Sequence, residues 1–195
     1  HAGYYPGAKP MTLKVLYALD DERLLGAQIV GRDGVDKRID TLACTLRAGG
    51  TVEDLTELEL AYAPPFSSAK DPVNMAGFVA ENQQAGLMRI AAWNEPDTIE
   101  NVQIVDVREP RECEALAFAG AVNIPLGQLR ERLGELDPAR PTITSCAIGV
   151  RAYNAARILM QAGFADVSVY PAGAAFWKTV HTDVAARTEE LMELR

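Results

Sequence analysis

Apolar and polar residues alternate over the first part of the chain, and the alternation predicts two strands. Met11 to Leu19 and Leu24 to Val30 read as a hairpin around the polar turn Asp20-Asp21-Glu22-Arg23, with Leu13, Val15, Tyr17 and Leu19 on one face. After the turn Gly31-Arg32-Asp33-Gly34 the period lengthens: Val35, Ile39, Leu42, Ala43 and Leu46 share one helical face, and Gly49-Gly50 ends that helix. Thr51 with Asp54 has the form of a capping box for a short helix through Leu60. Ala63-Pro64-Pro65-Phe66-Ser67-Ser68 is a rigid loop, and Asp71-Pro72 places an N-cap and an N1 proline before a third helix reaching about Gln84. Asn94-Glu95-Pro96-Asp97 reads as a linker. Beyond it strand-like and helical patterns alternate, which predicts a parallel sheet with helices on both faces. The expected layout is an α+β domain over residues 1–92 and an α/β domain with a central parallel sheet over 97–195.

Composition narrows the function classes. The chain has 195 residues, 48% of them apolar, enough for two small cores. Its net charge of −8, with no basic cluster, makes nucleic acid an unsuitable partner. No apolar run reaches the ~18 residues a membrane span needs, and no signal segment opens the chain. Cys44, Cys113 and Cys146 form no Cys-x-x-Cys pair; this favours a reducing, cytoplasmic setting and argues against a disulfide framework or a metal site. The histidines, His1 and His181, are too few for a His-based triad plus a metal site. No Gly-x-Gly-x-x-Gly marks a dinucleotide-binding unit. The chain starts at His1 without a Met and reads as a piece of a longer protein.

The chemistry concentrates at Cys146-Ala147-Ile148-Gly149-Val150-Arg151. Pro141 to Ser145 before it reads as a short buried strand. Arg151 to Gln161 reads as a helix with Ala152, Ala155, Ala156, Leu159 and Ala162 along one side. A cysteine between a strand end and a helix N-terminus faces backbone N–H groups that lack intrahelical partners, and the helix dipole favours negative charge there. Such surroundings lower a thiol pKa from its usual value of about 8.5, and Arg151 adds a fixed positive charge. Phosphatases that pass through a phosphocysteine need Cys-x5-Arg to wrap three phosphate oxygens. The shorter Cys-x4-Arg ring suits a single terminal sulfur.

This loop resembles the active-site loop of rhodanese sulfurtransferases, in which the cysteine carries a persulfide. Three further blocks are similar to that family in the same order. Val102 to Glu109 resembles its first strand with Asp-x-Arg, Ala119-Gly120-Ala121-Val122-Asn123-Ile124-Pro125 its Gly-Ala-x-Asn-Ile-Pro block, and Val167 to Trp177 its last strand and Gly-Gly-x-x-x-Trp turn. Two departures stand out: Leu116-Ala117-Phe118 where the family often has Gly-His-Ile, and Ala172 in place of the first glycine of the last turn. The resemblance implies that Cys146 takes up sulfane sulfur, that the amides of Ala147, Ile148, Gly149, Val150 and Arg151 stabilise the anionic outer sulfur, and that Arg151 assists. The apolar loop side chains favour an organic persulfide or polysulfide over thiosulfate as donor. Asp106 and Arg108, at a strand's carboxyl end, could line the pocket or form a structural ion pair, with Glu109 or Glu112 as partners. Cys113 and Cys44 read as packing residues, and Trp177 as core or pocket wall.

The first domain has its own resemblance. Tyr4-Tyr5-Pro6-Gly7-Ala8, the hairpin and Glu59 to Asn74 are similar to the dimerisation domain of the pyridine nucleotide-disulfide oxidoreductases, most of all the coenzyme A-disulfide reductase and NADH oxidase branch. A rhodanese domain after it is the layout of coenzyme A-disulfide reductase–rhodanese fusions. This implies a homodimer that reduces coenzyme A disulfide, persulfides or polysulfides. FAD, NAD(P)H and coenzyme A belong to the parent protein and none to this segment. It also implies that Tyr62, and Tyr4 or Tyr5, reach the partner subunit's reductase site. Two other readings remain: a non-catalytic dimerisation and docking module, and a phosphatase or arsenate reductase on the rhodanese fold.

Overall fold

The computed structural model describes residues 3–182; the outer ends of both expected domains, His1 included, lie outside the described residues. The chain divides into two units after Gly86.

In the first unit β1 (Met11–Tyr17) and β2 (Leu24–Gly31) pair antiparallel, with Leu13 opposite Ile29 and Val15 opposite Ala27. Leu13, Val15, Tyr17, Ala27 and Ile29 pack on a core of Leu24, Leu42, Val52, Leu55, Val73 and Ala80. Leu19, expected on the same face, lies past the end of β1 and is exposed. α1 (Val35–Arg47) is rolled relative to the apolar face expected for it. Arg38 and Leu42 point inward, whereas Ala43, Cys44 and Leu46 are exposed, so Cys44 is not a packing residue.

The cause of the roll is a buried ion pair. Arg38 donates to both carboxylate oxygens of Asp71, to the Gly34 carbonyl at 3.0 Å and to the Phe66 carbonyl at 2.9 Å. Buried charge is tolerated only when paired and hydrogen-bonded in this way. α2 (Val52–Glu57) starts at the expected Thr51–Asp54 capping box but ends before Leu58, because Asn74 Nδ2 donates to the Leu55 and Leu58 carbonyls. α3 (Pro72–Gln84) has Asp71 as N-cap and Pro72 in its first turn.

The second unit begins at Leu87, earlier than the expected linker. Residues 89–91 run parallel beside the last strand: Ala91 N–H donates to the Val169 carbonyl, and Val169 N–H to that of Arg89. Met88 and Ala91 are buried there. Asn94 to Asp97 is not an open linker but leads into α4 (Glu95–Thr98), where Glu95 pairs with Arg89 at 2.9 Å. Satisfying backbone groups along a sheet edge and burying apolar side chains draws this segment into the second unit.

Its sheet is wholly parallel, in the order β4 (Val122–Asn123), β3 (Gln103–Asp106), β5 (Thr142–Ser145), β6 (Val167–Val169). Every residue of β3, β5 and β6 is buried, as in a sheet covered on both faces. One apolar cluster joins Val105, Val107, Val169 and Cys146 to Ala152, Ala155, Ala156 and Leu159 of α6 (Val150–Gln161). Ala162, expected on that face, is the exposed C-cap. The other cluster joins Ile104, Ile143 and Tyr170 to Phe118, Ala174 and Trp177. The segment joining β3 to β4 contains the short helix α5 (Pro110–Ala115). Among the described residues no helix is long and apolar enough to cross a membrane.

Candidate active site

β5 delivers Cys146 to the carboxyl edge of the sheet, and α6 starts four residues later. The chain turns this corner through Gly149, whose φ of 113° is open to glycine but strained for other residues. The turn brings the Gly149 N–H to 3.1 Å from Cys146 Sγ, where it donates to the sulfur. Cys146 itself is 1% exposed, whereas Ile148 and Val150 face solvent. The loop thus presents an apolar rim above a sequestered sulfur.

The turn after β6 clamps the loop from the far side. Ala174 N–H donates to the Cys146 carbonyl at 2.9 Å. Gly173 lies so close that an added Cβ would fall 2.3 Å from the Ala147 carbonyl oxygen and 2.5 Å from that of Cys146. Ala172, the departure from the family's paired glycines, sits at φ 51° in the left-handed region. Leu116-Ala117-Phe118, the other departure, puts Phe118 in the apolar cluster, edge-on to Tyr170 and beside Trp177.

Arg151 does not stand as a free cation. Its two terminal nitrogens donate to the two carboxylate oxygens of Glu112, each at 2.7 Å. This fork pushes the Arg151 pKa further up, and a thiolate at Cys146 adds to the same effect. The Glu112 carboxyl is held well below the usual range, at about 2, first by the Arg151 hydrogen bonds. Glu112 also accepts the Glu109 N–H at 2.9 Å, closing the capping box of α5.

Asp106 and Arg108 are buried and pair with each other, not with the carboxylates of Glu109 or Glu112. Arg108 grips both oxygens of Asp106 and donates to the carbonyls of Glu112 and Leu116. The hydrogen bond to Asp106 is the chief reason its pKa is raised. These bonds give the pair a bracing role, anchoring α5 and through it Glu112. Cys113, half-buried on α5, donates to Asp106 at 3.5 Å, and its thiol is pushed up by burial and by that carboxylate. Glu112 was visible in the sequence only as a possible partner for Asp106 or Arg108. The helical spacing of Glu109 and Glu112 was its one local signal.

In the first unit Tyr62 is 52% exposed and Tyr4 78% exposed, while Tyr5 is less so. All three are presented to solvent on the single chain.

A buried cysteine at a strand–helix corner, on a parallel sheet with a clamped loop, places the second unit among the rhodanese-like domains. Residues 92–179 match the rhodanese-like domain, and residues 1–74 match the pyridine nucleotide-disulphide oxidoreductase dimerisation domain. The chain is therefore a dimerisation domain of that oxidoreductase family joined to a rhodanese-like domain. It is similar to the reduced CoADR-RHD of Bacillus anthracis, with 44% identity and a TM-score of 0.88 over 94% of this chain and 33% of that one. It is also similar to an NAD-dependent persulfide reductase from A. fulgidus, with 39% identity and a TM-score of 0.81 over 90% of this chain and 32% of that one. The coenzyme A disulfide reductase of Staphylococcus epidermidis is 49% identical over 81 residues, 42% of this chain. The chain spans only 18% of the length of that curated relative.

Proposed function

We propose that this chain takes up sulfane sulfur on Cys146 as a persulfide. It would serve as the rhodanese part of an NAD(P)H-dependent coenzyme A-disulfide, persulfide or polysulfide reductase. The observation that carries the reading is the Gly149 N–H aimed at Cys146 Sγ from 3.1 Å at the start of α6. Backbone donors at such a corner stabilise negative charge on sulfur in the manner of an oxyanion hole. With an organic persulfide the Cys146 thiolate attacks the outer sulfur and the donor S–S bond breaks. Cys146 then holds S–SH while the donor leaves as thiolate. A thiol acceptor reverses the step. The names of the similar persulfide reductase and coenzyme A disulfide reductase support this class of chemistry.

The first unit fits a homodimer: Leu16, Val30, Phe66, Met75 and Val79 are apolar side chains the single chain leaves exposed. Tyr62 and Tyr4 would then serve the partner subunit's reductase site. The crossings from strand to helix in the second unit carry Arg108-Glu109-Pro110 and the cysteine loop, not a glycine-rich phosphate cradle. These residues do not fit FAD or NAD(P)H, which, with coenzyme A, belong to other parts of such a reductase. A cytoplasmic setting suits three free thiols. The phosphatase reading has less support, since the Cys-x4-Arg ring is short and Glu112 already occupies the arginine fork.

Intact mass and peptide mapping after exposure to glutathione persulfide or thiosulfate test the proposal. One added sulfur on Cys146 is expected. Full sulfur transfer by Cys146→Ser would overturn it.

A further inference from the structure

The mouth of the cysteine loop combines two features of unlike character. Ile148 is 75% exposed and Val150 54%, so the loop offers apolar contact to an incoming molecule. The loop's cation, Arg151, is turned instead onto a carboxylate of the protein's own, with both terminal nitrogens used. The carboxylate is held firmly in place. Glu112 closes the α5 capping box through the Glu109 N–H, and its carbonyl accepts from Arg108, which is locked onto Asp106. The pair is only about two-thirds covered, with side-chain exposures of 32% and 37%, so solvent reaches it, and Arg151 is near enough to Cys146 to feel a thiolate there. Glu109, on the same element, adds further negative character near Arg151.

We propose that Glu112 determines donor choice at this loop. By engaging both arms of Arg151 it withholds the cation from small dianionic donors and leaves the site to organic persulfides that use the apolar rim. This rests on the reading of Cys146 as sulfur acceptor. The two donors differ in what leaves the sulfur. Thiosulfate gives its sulfane sulfur to the Cys146 thiolate and departs as sulfite dianion, leaving Cys–S–S⁻. An organic persulfide leaves as a thiolate and gives Cys–S–SH. The first demands a cation for a doubly charged group; the second does not. Glu112 acts through Arg151 and is a positioning residue.

Steady-state transfer to cyanide by the full chain, with thiosulfate and glutathione persulfide as alternative donors, tests the inference. Glu112→Gln keeps an acceptor for the Glu109 N–H but removes the charge. It should raise kcat/KM for thiosulfate, relative to glutathione persulfide, by about fivefold, the upper end of what one half-exposed charge contributes, and through KM. Glu112→Asp, which keeps the charge, should retain the original preference. An unchanged donor ratio in Glu112→Gln, or an equal fall with both donors, overturns the inference. Should Glu112→Gln not fold, Glu112→Ala, which frees Arg151 without placing an amide in its fork, gives the second arm. It should raise the share of thiosulfate use by a similar factor of about five; an unchanged donor ratio there overturns the inference. If neither donor adds sulfur to Cys146 in the unaltered chain, the sulfur-acceptor reading itself fails. An unchanged ratio with normal loading sinks only the role of Glu112.

Discussion

Gly173→Ala tests whether the turn after β6 shapes the sulfur loop. Gly173 has φ of 70°, and its added Cβ would lie 2.3 Å from the Ala147 oxygen and 2.5 Å from the Ala147 carbon. The left-handed backbone costs alanine roughly 1–2 kcal/mol. The contacted atoms are backbone, so they must move, and with them goes the Ala174 N–H bond to the Cys146 carbonyl. A lost bond of that kind costs about 1 kcal/mol. The second unit should therefore lose about 2–3 kcal/mol, and alkylation of Cys146 should change in rate because its carbonyl is released. Ala172→Gly is the internal contrast. Ala172 already bears the left-handed strain at φ 51°, so glycine there should gain about 0.5 kcal/mol with reactivity unaltered. Both tryptophans, Trp93 and Trp177, lie in the second unit, so urea titration followed by tryptophan fluorescence reads that unit alone. A Gly173→Ala protein within about 0.5 kcal/mol of the original, alkylated at the same rate, would refute the clamp.

Four further outcomes are expected. In the first unit, Arg38→Met or Asp71→Ala alone should cost about 3–5 kcal/mol by circular dichroism, and the double variant clearly less than the sum, because each single change strands a buried charge. An additive double variant would contradict a coupled pair. The Glu112 carboxyl, lowered from 4.5 to about 2 in the folded chain, lends stability that is fully present above pH 4.5 and lost as pH falls towards 2. Because the group is half-exposed the effect is worth ~1 kcal/mol or less; it should vanish in Glu112→Gln when urea midpoints are compared across that window. Light scattering should give a dimer of the 21.1 kDa chain, and a monomer for a piece starting at Leu87. That piece should load sulfur on Cys146, whereas one starting at Asp97 should be less stable, having lost the pairing of residues 89–91 with Val169. Equal stability of the two pieces would contradict the edge-strand role.

What the sequence determined by itself was local. The Thr51–Asp54 capping box and the Asp71-Pro72 helix start were legible because their partners lie within three residues of each other along the chain. The strand–loop–helix corner at Cys146 was legible for the same reason: a buried β5, a glycine at the bend and an alanine-lined α6 are consecutive in the chain. Tertiary structure decided whatever depends on distant residues. Arg38 and Asp71 are 33 residues apart, and their pairing rolls α1 so that Cys44 faces out. Arg151 and Glu112 are 39 apart, and their pairing converts an expected free cation into half of an ion pair. Residues 89–91 read as the tail of the first domain, yet the open edge of β6 recruits them to the second. Hydrophobic periodicity says that a face is buried. It does not say which charged fork or sheet edge will be waiting there, because that depends on where the whole chain has brought its remote donors and acceptors.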